Sequence, residues 1–494
     1  MAQQRPGAQE ILTSVLDEAS FEAFPTPVQH PVDALYAQEL EQARAATGLD
    51  EAVLCGTGTL DGRRVVVMAG EFGFLGGSVG VTTSNLLLQA ADHATAEGLP
   101  LLALPCSGGT RMQEGTPAFV QMVKIGQAVL AHRRAGLPFL VHLRHPTTGG
   151  VLASWASLGQ VTTAQPGALV GFLGPRVQEA ITGSRIPEGV QRAEHVVAHG
   201  IVDAVVPDEE LRALWSRLLQ VLDPTHRSVG LPSGWAGAAG PPPGPAPSDA
   251  WQAVLTSRQE GRPGFDELTA ELEVPLWLSV TGDGQVGEAI RVGLADLGGR
   301  NCVLVGTRRE AWVLPADLRL AQRGFRLAQE LGLPVVTVID TPGAALTEQA
   351  EDQALSGEIA RTLGALAELE VPTVSVLMGR GSGGAALALL PADRTLCAQH
   401  GWLAPLAPEG ASAIMHRTEG HADQMARSHR ISADELQAAG VVDEVVPEPA
   451  DLAAEGTGFC RALVRAVDAQ LDLLDEVSPA ERLAARLHRF RSFG

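Results

Sequence analysis

Basic residues are scarce in this 494-residue sequence, and lysine is nearly absent. Lysine and arginine total 36 against 57 aspartates and glutamates, a formal net charge of −21, and Lys124 is the one lysine. That excess of negative charge argues against a general nucleic-acid binder and against a protein held on an anionic membrane, since both surfaces repel it. The five cysteines, Cys55, Cys106, Cys302, Cys397 and Cys460, form no C-x-x-C pair. Neither a zinc ribbon nor a disulfide framework is expected of them, and a reducing cytoplasm fits their scatter. No uninterrupted apolar run reaches the roughly 18 residues of a membrane span, and MAQQRPGAQEIL lacks the basic-then-apolar order of a secretory signal. The expectation is a cytosolic globular protein, whose 45% hydrophobic content supplies cores for two or three domains.

What is present is a diglycine that occurs twice in matching settings. Gly149-Gly150 lies in HPTTGGVLASWA and Gly383-Gly384 in MGRGSGGAALAL; each follows a short apolar run and opens a small-residue helical stretch. Glycine admits close approach of a ligand to the backbone, and the N–H groups that open a helix have no partner within it. Two oxyanion holes are the expected result. A single Gly-Gly would be read as a tight turn, and it is the duplication of the whole setting that favours function.

The duplication extends along the chain. Leu99-Pro100 returns as Leu333-Pro334, Pro138 as Pro372 and Gly149 as Gly383, all at an offset of 234, while Ile201-Val202-Asp203 returns as Val441-Val442-Asp443 at 240. Short apolar runs alternating with helical stretches predict stacked βαβ units with parallel strands. The expected organisation is an N-terminal helical cap over residues 1–50, including a helix over Val32–Ala46, and an α/β domain over 51–222. A linker rich in Pro and Gly over 223–250 and a second α/β domain over 251–494 complete it.

These motifs carry a family resemblance. GGSVG (Gly76–Gly80), SGGTRMQEG (Ser107–Gly115), QMVK (Gln121–Lys124), PTTGGVLASWA (Pro146–Ala156) and GFLGPRV (Gly171–Val177) resemble the β subunit of bacterial acetyl-CoA carboxylase carboxyltransferase. IDTPGA (Ile339–Ala344), GRGSGGAALAL (Gly379–Leu389), APEGASAI (Ala407–Ile414), GVVDEVVPEP (Gly440–Pro449) and the terminal RFRSFG resemble its α subunit. The β-then-α order is similar to single-chain carboxyltransferases of acyl-CoA carboxylases. The resemblance implies an α/β fold of two tandem crotonase-like domains (the ClpP/crotonase superfamily) built of ββα units. It also implies transfer of a carboxyl group from carboxybiotin to acetyl-CoA or another short acyl-CoA, giving malonyl-CoA-type products for fatty acid biosynthesis. By that likeness Gly149 and Gly150 hold the thioester enolate oxygen, and Gly383 and Gly384 the biotin ureido oxygen. Gly76, Gly77, Ser107, Gly108, Gly109, Arg111, Lys124, Arg176 and Ala385 would line the substrate.

No A-M-K-M biotinylation sequence occurs, so biotin is expected on a separate carrier protein, with a separate biotin carboxylase. The resemblance further implies a homodimer or larger homo-oligomer, in which the N-domain of one protomer meets the C-domain of another. The zinc ribbon of the β subunit is missing, so no metal is carried over. After Asp340-Thr341-Pro342-Gly343 the usual glycine-rich loop is replaced by AALTEQAEDQAL. For Arg111 and Lys124, a contact to coenzyme A phosphates and an ordinary solvated charge both remain open. Glu114 reads either as a general base or as a helix-dipole partner, and its place in the motif favours the second; Glu409 reads as a loop or helix anchor. The isolated His145 and His416 carry little weight. Two other readings stand beside the carboxyltransferase: a biotin-independent malonyl-thioester decarboxylase, and a catalytically silent scaffold subunit.

Overall fold

The computed structural model describes residues 6–27, 33–184, 186–223, 244, 246, 249–281, 284–489 and 491. Most of the expected linker, residues 224–243, 245, 247 and 248, lies outside them, as do Phe490 and Ser492–Gly494 of the terminal motif. The chain divides into two compact units, residues 1–220 with 282–284, and residues 221–281 with 285–494.

In the first unit, seven strands lie in the order Glu22–Ala23, Val53–Leu60, Arg63–Gly70, Leu101–Leu104, Phe139–Leu143, Val161–Ala164, Ala204–Val205. The first three pair antiparallel and the rest parallel. Leu101–Leu104 and Phe139–Leu143 are buried at every position, which is why they read as continuous apolar runs rather than alternating ones. Helix Val81–Glu97 covers the sheet with Leu86, Leu87, Ala90, Ala91 and Ala94, which pack in one cluster with Val66, Met68 and Ala103. It ends at Gly98, whose φ of 65° suits the left-handed cap that glycine adopts without strain. The N-terminal stretch is not wholly helical: besides helices Ala8–Val15 and Ala34–Thr47 it supplies the edge strand Glu22–Ala23, paired with Thr57 and Gly56.

The second unit repeats this plan. Its strands run Glu273–Leu278, Ile290–Asp296, Asn301–Thr307, Val335–Thr341, Thr373–Ser382, Arg394–Ala398, Glu444–Val446, and Trp402–Ala404 pairs with the far end of Thr373–Ser382. Helix Pro315–Leu331 has the 17 residues of Val81–Glu97, displaced by the same 234 positions, and stops at Gly332 with φ 69°. Individual hydrogen bonds are repeated as well. Leu101 N donates to Pro138 O at 2.9 Å, and Val335 N to Pro372 O at 2.9 Å. Asp203 N donates to Thr162 O at 2.7 Å while the Asp203 carboxylate accepts Thr162 N at 3.0 Å. Asp443 and Thr395 make the same exchange at 2.8 and 2.6 Å. In each unit an antiparallel hairpin leads into a covering helix and then parallel strands, the ββα repeat of the crotonase-like fold.

Candidate functional site

The first diglycine stands where three loops meet beyond the parallel strands. Strand Leu101–Leu104 leads to Ser107, whose hydroxyl accepts Gly109 N at 3.0 Å. Gly108 N donates to Gly76 O (2.9 Å), Val79 N to Gly109 O (2.8 Å), Thr148 N to Ser107 O (2.9 Å) and Gly149 N to Phe172 O (2.9 Å). The loops 74–80, 107–111 and 147–150 are therefore fixed backbone to backbone. Gly77, at φ 64°, leaves no room for a side chain, since a β-carbon would fall 2.0 Å from Cys106 O. Gly149, at φ 66°, would place one 3.0 Å from Gly108 O. Gly150 is the second residue of helix Gly149–Leu152, so its N–H has no acceptor inside the helix. Gly76, Gly77, Ser107, Gly108, Gly109, Gly149 and Gly150 are thus brought together.

The second corner copies part of this. Thr341 Oγ1 accepts Gly343 N at 3.1 Å, Val313 N donates to Gly343 O at 3.0 Å, and Gly383 opens helix Gly383–Ala388 with φ 65°. Gly384 takes the place of Gly150, with a virtual β-carbon 3.0 Å from Ile359 Cδ1, and Ala385 is buried behind it. The other side of the corner differs. The positions of Gly76 and Gly77 are held by Glu310 and Ala311, and Trp312 beside them is about half exposed. The neighbouring Asp340 carboxylate accepts Arg380 N at 2.9 Å and has Arg309 Nε at 3.7 Å; burial raises its pKa against the pull of both cations.

Arg111 requires a correction. It is fully buried, its guanidinium donating to Glu51 at 2.5 and 3.0 Å, to Ser78 O at 2.7 Å and to Tyr36 Oη at 3.1 Å. A guanidinium so paired has neither the exposure nor the donors to spare for a coenzyme A phosphate. Glu114 serves as a helix partner: it accepts Val81 N, at the start of helix Val81–Glu97, at 2.7 Å and Tyr36 Oη at 2.5 Å. Glu409 forms a two-bond pair with Arg258 at 2.5 and 3.0 Å. His145 Nδ1 accepts Leu169 N, a structural bond; His416 lies 4.5 Å from the ring of His421. Lys124 is exposed on helix Thr116–Arg134 with Gln121 Oε1 at 3.0 Å. Arg176 falls within helix Pro175–Thr182, and its side chain lies outside the described part. Glu51 and Tyr36 escaped the sequence reading; the chain has one tyrosine, and that rarity was the available signal.

Each corner thus offers backbone donors in rigid frames with small residues behind them. At the second, a β-carbon on Gly384 would fall 3.0 Å from Ile359 Cδ1, while one on Gly383 would stand 3.5 Å from Pro405 O. No group of three or more metal-ligating side chains occurs among the described residues.

Comparison with known proteins agrees with this geometry. Residues 13–256 match the carboxyl transferase domain family, and residues 247–494 match the family described as acetyl co-enzyme A carboxylase carboxyltransferase-like. The chain is 48% identical over 489 residues to a probable biotin-dependent acyl-coenzyme A carboxylase beta3 subunit of Mycobacterium tuberculosis, covering 97% of each. It is 39% identical over 519 residues to the acetyl-coenzyme A carboxylase carboxyl transferase subunits beta/alpha of Salinispora arenicola, covering all of this chain and 91% of that one. Among solved structures, transcarboxylase 12S superposes with a TM-score of 0.77 at 20% identity over 96% of this chain and 90% of that one, a likeness of fold. Two homologous crotonase-like units, two diglycine corners and full-length identity of this order place the chain in the carboxyl transferase family, as a single-chain β–α carboxyltransferase of a biotin-dependent acyl-CoA carboxylase.

Proposed function

We propose that the corner at Gly149-Gly150 binds the acyl-CoA thioester and the corner at Gly383-Gly384 receives biotin, with acetyl-CoA or another short acyl-CoA as the substrate. The observation behind this division is the asymmetry of the two corners. The first is framed by the glycine turn at Gly76-Gly77, where the second has Glu310 and Ala311. Carboxybiotin, when presented by its carrier, supplies the carboxyl group and a ureido nitrogen able to take the α-proton. The chain's task is to hold charge in place: the Gly150 N–H meets the enolate oxygen, in a frame fixed by the hydrogen bonds of Gly149 and of the loops of Gly76 and Ser107–Gly109. One such donor contributes about 3 kcal/mol to the transition state. Gly384 and Gly383 offer equivalent donors on the biotin side. Lys124 and Arg176 remain as candidates for the coenzyme A phosphates.

The product would be a malonyl-CoA-type thioester, made in the cytoplasm together with a biotin carboxylase and a biotin carboxyl carrier protein, by a homo-oligomer of this chain. No helix among the described residues is long and apolar enough to cross a membrane. The test is a carboxylation assay with a reconstituted carboxylated carrier and a panel of acyl-CoA substrates. Carboxylation of the short members, with ratios of about 10- to 200-fold per added methylene, is expected. Rapid release of acetyl-CoA from malonyl-CoA without biotin, and no carboxylation, would overturn the reading.

A further inference from the structure

A buried polar cluster joins Glu51, Arg111, Glu114 and Tyr36 beneath the first corner. Glu51 and Glu114 both face the Arg111 guanidinium, at 2.5 Å from Glu51 and 3.8 Å from Glu114. Buried carboxylates must be met by donors, since the interior cannot solvate them. For Glu114 the donors are Val81 N at 2.7 Å and the Tyr36 hydroxyl at 2.5 Å, and Tyr36 also accepts Arg111 Nη1 at 3.1 Å. Tyr36 is 2% exposed and belongs to helix Ala34–Thr47, whose N-cap Asp33 accepts Tyr36 N at 2.8 Å. Burial and the adjacent Glu114 push the phenol pKa up, so it stays a donor through any working pH.

The cluster is tied at every point to the loops that frame the thioester side. Arg111 N donates to Val79 O at 3.0 Å, its Nη2 to Ser78 O at 2.7 Å, and Val81 directly follows the loop of Gly76–Gly80. From Arg111 the chain leads back through Gly109, whose virtual β-carbon is 3.3 Å from Gly149 Cα and 3.4 Å from Gly150 N. In the second unit the position of Arg111 is held by Ala345 and that of Gly76 by Glu310.

We infer that Tyr36 is a positioning residue for carboxyl transfer: through Glu114 and Arg111 it sets the distance between the loops of Gly76 and Gly109 and the Gly150 donor. The inference rests on the assignment of the thioester to that corner. Loss of the hydroxyl removes one of the two close donors to Glu114 and loosens both loops without touching the substrate. A displacement of about 1 Å in such a frame lowers turnover by up to about 100-fold.

The experiment uses the full-length chain with its carboxylated carrier. Tyr36→Phe is expected to lower kcat about 10- to 100-fold while KM for acetyl-CoA stays within about threefold. A folded variant with wild-type kcat, or one that raises KM alone, overturns the inference. Because Tyr36 is the one tyrosine, 3-fluorotyrosine labelling of otherwise wild-type protein gives a single 19F resonance. It is expected to shift on saturation with acetyl-CoA in the absence of carrier, and an unmoved resonance overturns the inference even if the phenylalanine variant does not fold. A wild-type enzyme that fails to carboxylate any acyl-CoA sinks the assignment of the site itself, a result distinct from an active wild type with an indifferent Tyr36→Phe.

Discussion

Gly149 and Gly150 are neighbours with different obligations. Gly149 has φ 66° and faces Gly108 O at 3.0 Å from a virtual β-carbon, so an alanine there is strained in backbone and in space. Gly150 has no positive φ, and its virtual β-carbon meets the rotatable Thr110 hydroxyl at 3.1 Å. Gly149→Ala is expected to cost about 1–3 kcal/mol of stability, and Gly150→Ala less than about 1 kcal/mol. In the carboxylation assay, Gly150→Val is expected to lower kcat by roughly 100-fold or more, the worth of one oxyanion donor displaced. Thermal unfolding beside kinetics checks both: equal losses of stability would show that the two glycines serve only the turn.

At the level of elements, the segment after the linker is held to the second sheet by a buried ion pair. Arg262 donates to Glu448 at 2.6 Å through both Nη atoms and to Met378 O at 2.9 Å, on the strand that ends at Ser382, next to Gly383. His400 adds its backbone N–H at 3.0 Å and its Nδ1 at 2.7 Å to the same carboxylate. Burial alone would raise the Glu448 pKa; the guanidinium and the imidazole outweigh it and hold the carboxyl down to about 2. A pKa below the unfolded value contributes stability that is full above about 4.5 and is lost as pH falls from there toward 2. The amount is roughly 3 kcal/mol. Glu448→Gln should flatten that acid limb and, by leaving Arg262 buried and unpaired, cost about 3–5 kcal/mol at neutral pH. Chemical denaturation at a series of pH values checks it; an unchanged acid limb would assign the pH dependence to other groups. The Arg258–Glu409 pair, about one-third exposed on both sides, is expected to matter by less than about 1 kcal/mol.

For the whole molecule, large apolar side chains stand far into solvent in both units. Met112, Phe119 and Val123 are more than 60% exposed in the first, as are Leu346, Ile414 and Met415 in the second. Side chains of this kind, where they form one contiguous patch, mark surfaces that meet another protein. Sedimentation of the purified chain at micromolar concentration is expected to give a homo-oligomer, and Met112→Asp with Val123→Asp to weaken it. A stable, fully active monomer would contradict the assembly.

How much of this the sequence determined follows from the range over which each constraint acts. The α/β class, the duplication and both diglycine corners are local properties: a buried parallel strand needs a run of apolar residues, and a left-handed turn pressed against a carbonyl needs glycine. Gly98 and Gly332 could be read for the same reason. Charged side chains carry no such local mark. Arg111 sits in a motif beside glycines and looks available to phosphate, yet its partners Glu51 and Tyr36 lie 60 and 75 residues away. The partner of Arg262 is 186 residues away. Only the tertiary structure decides whether a guanidinium faces solvent or a buried carboxylate, because desolvation and pairing depend on which distant elements pack against it.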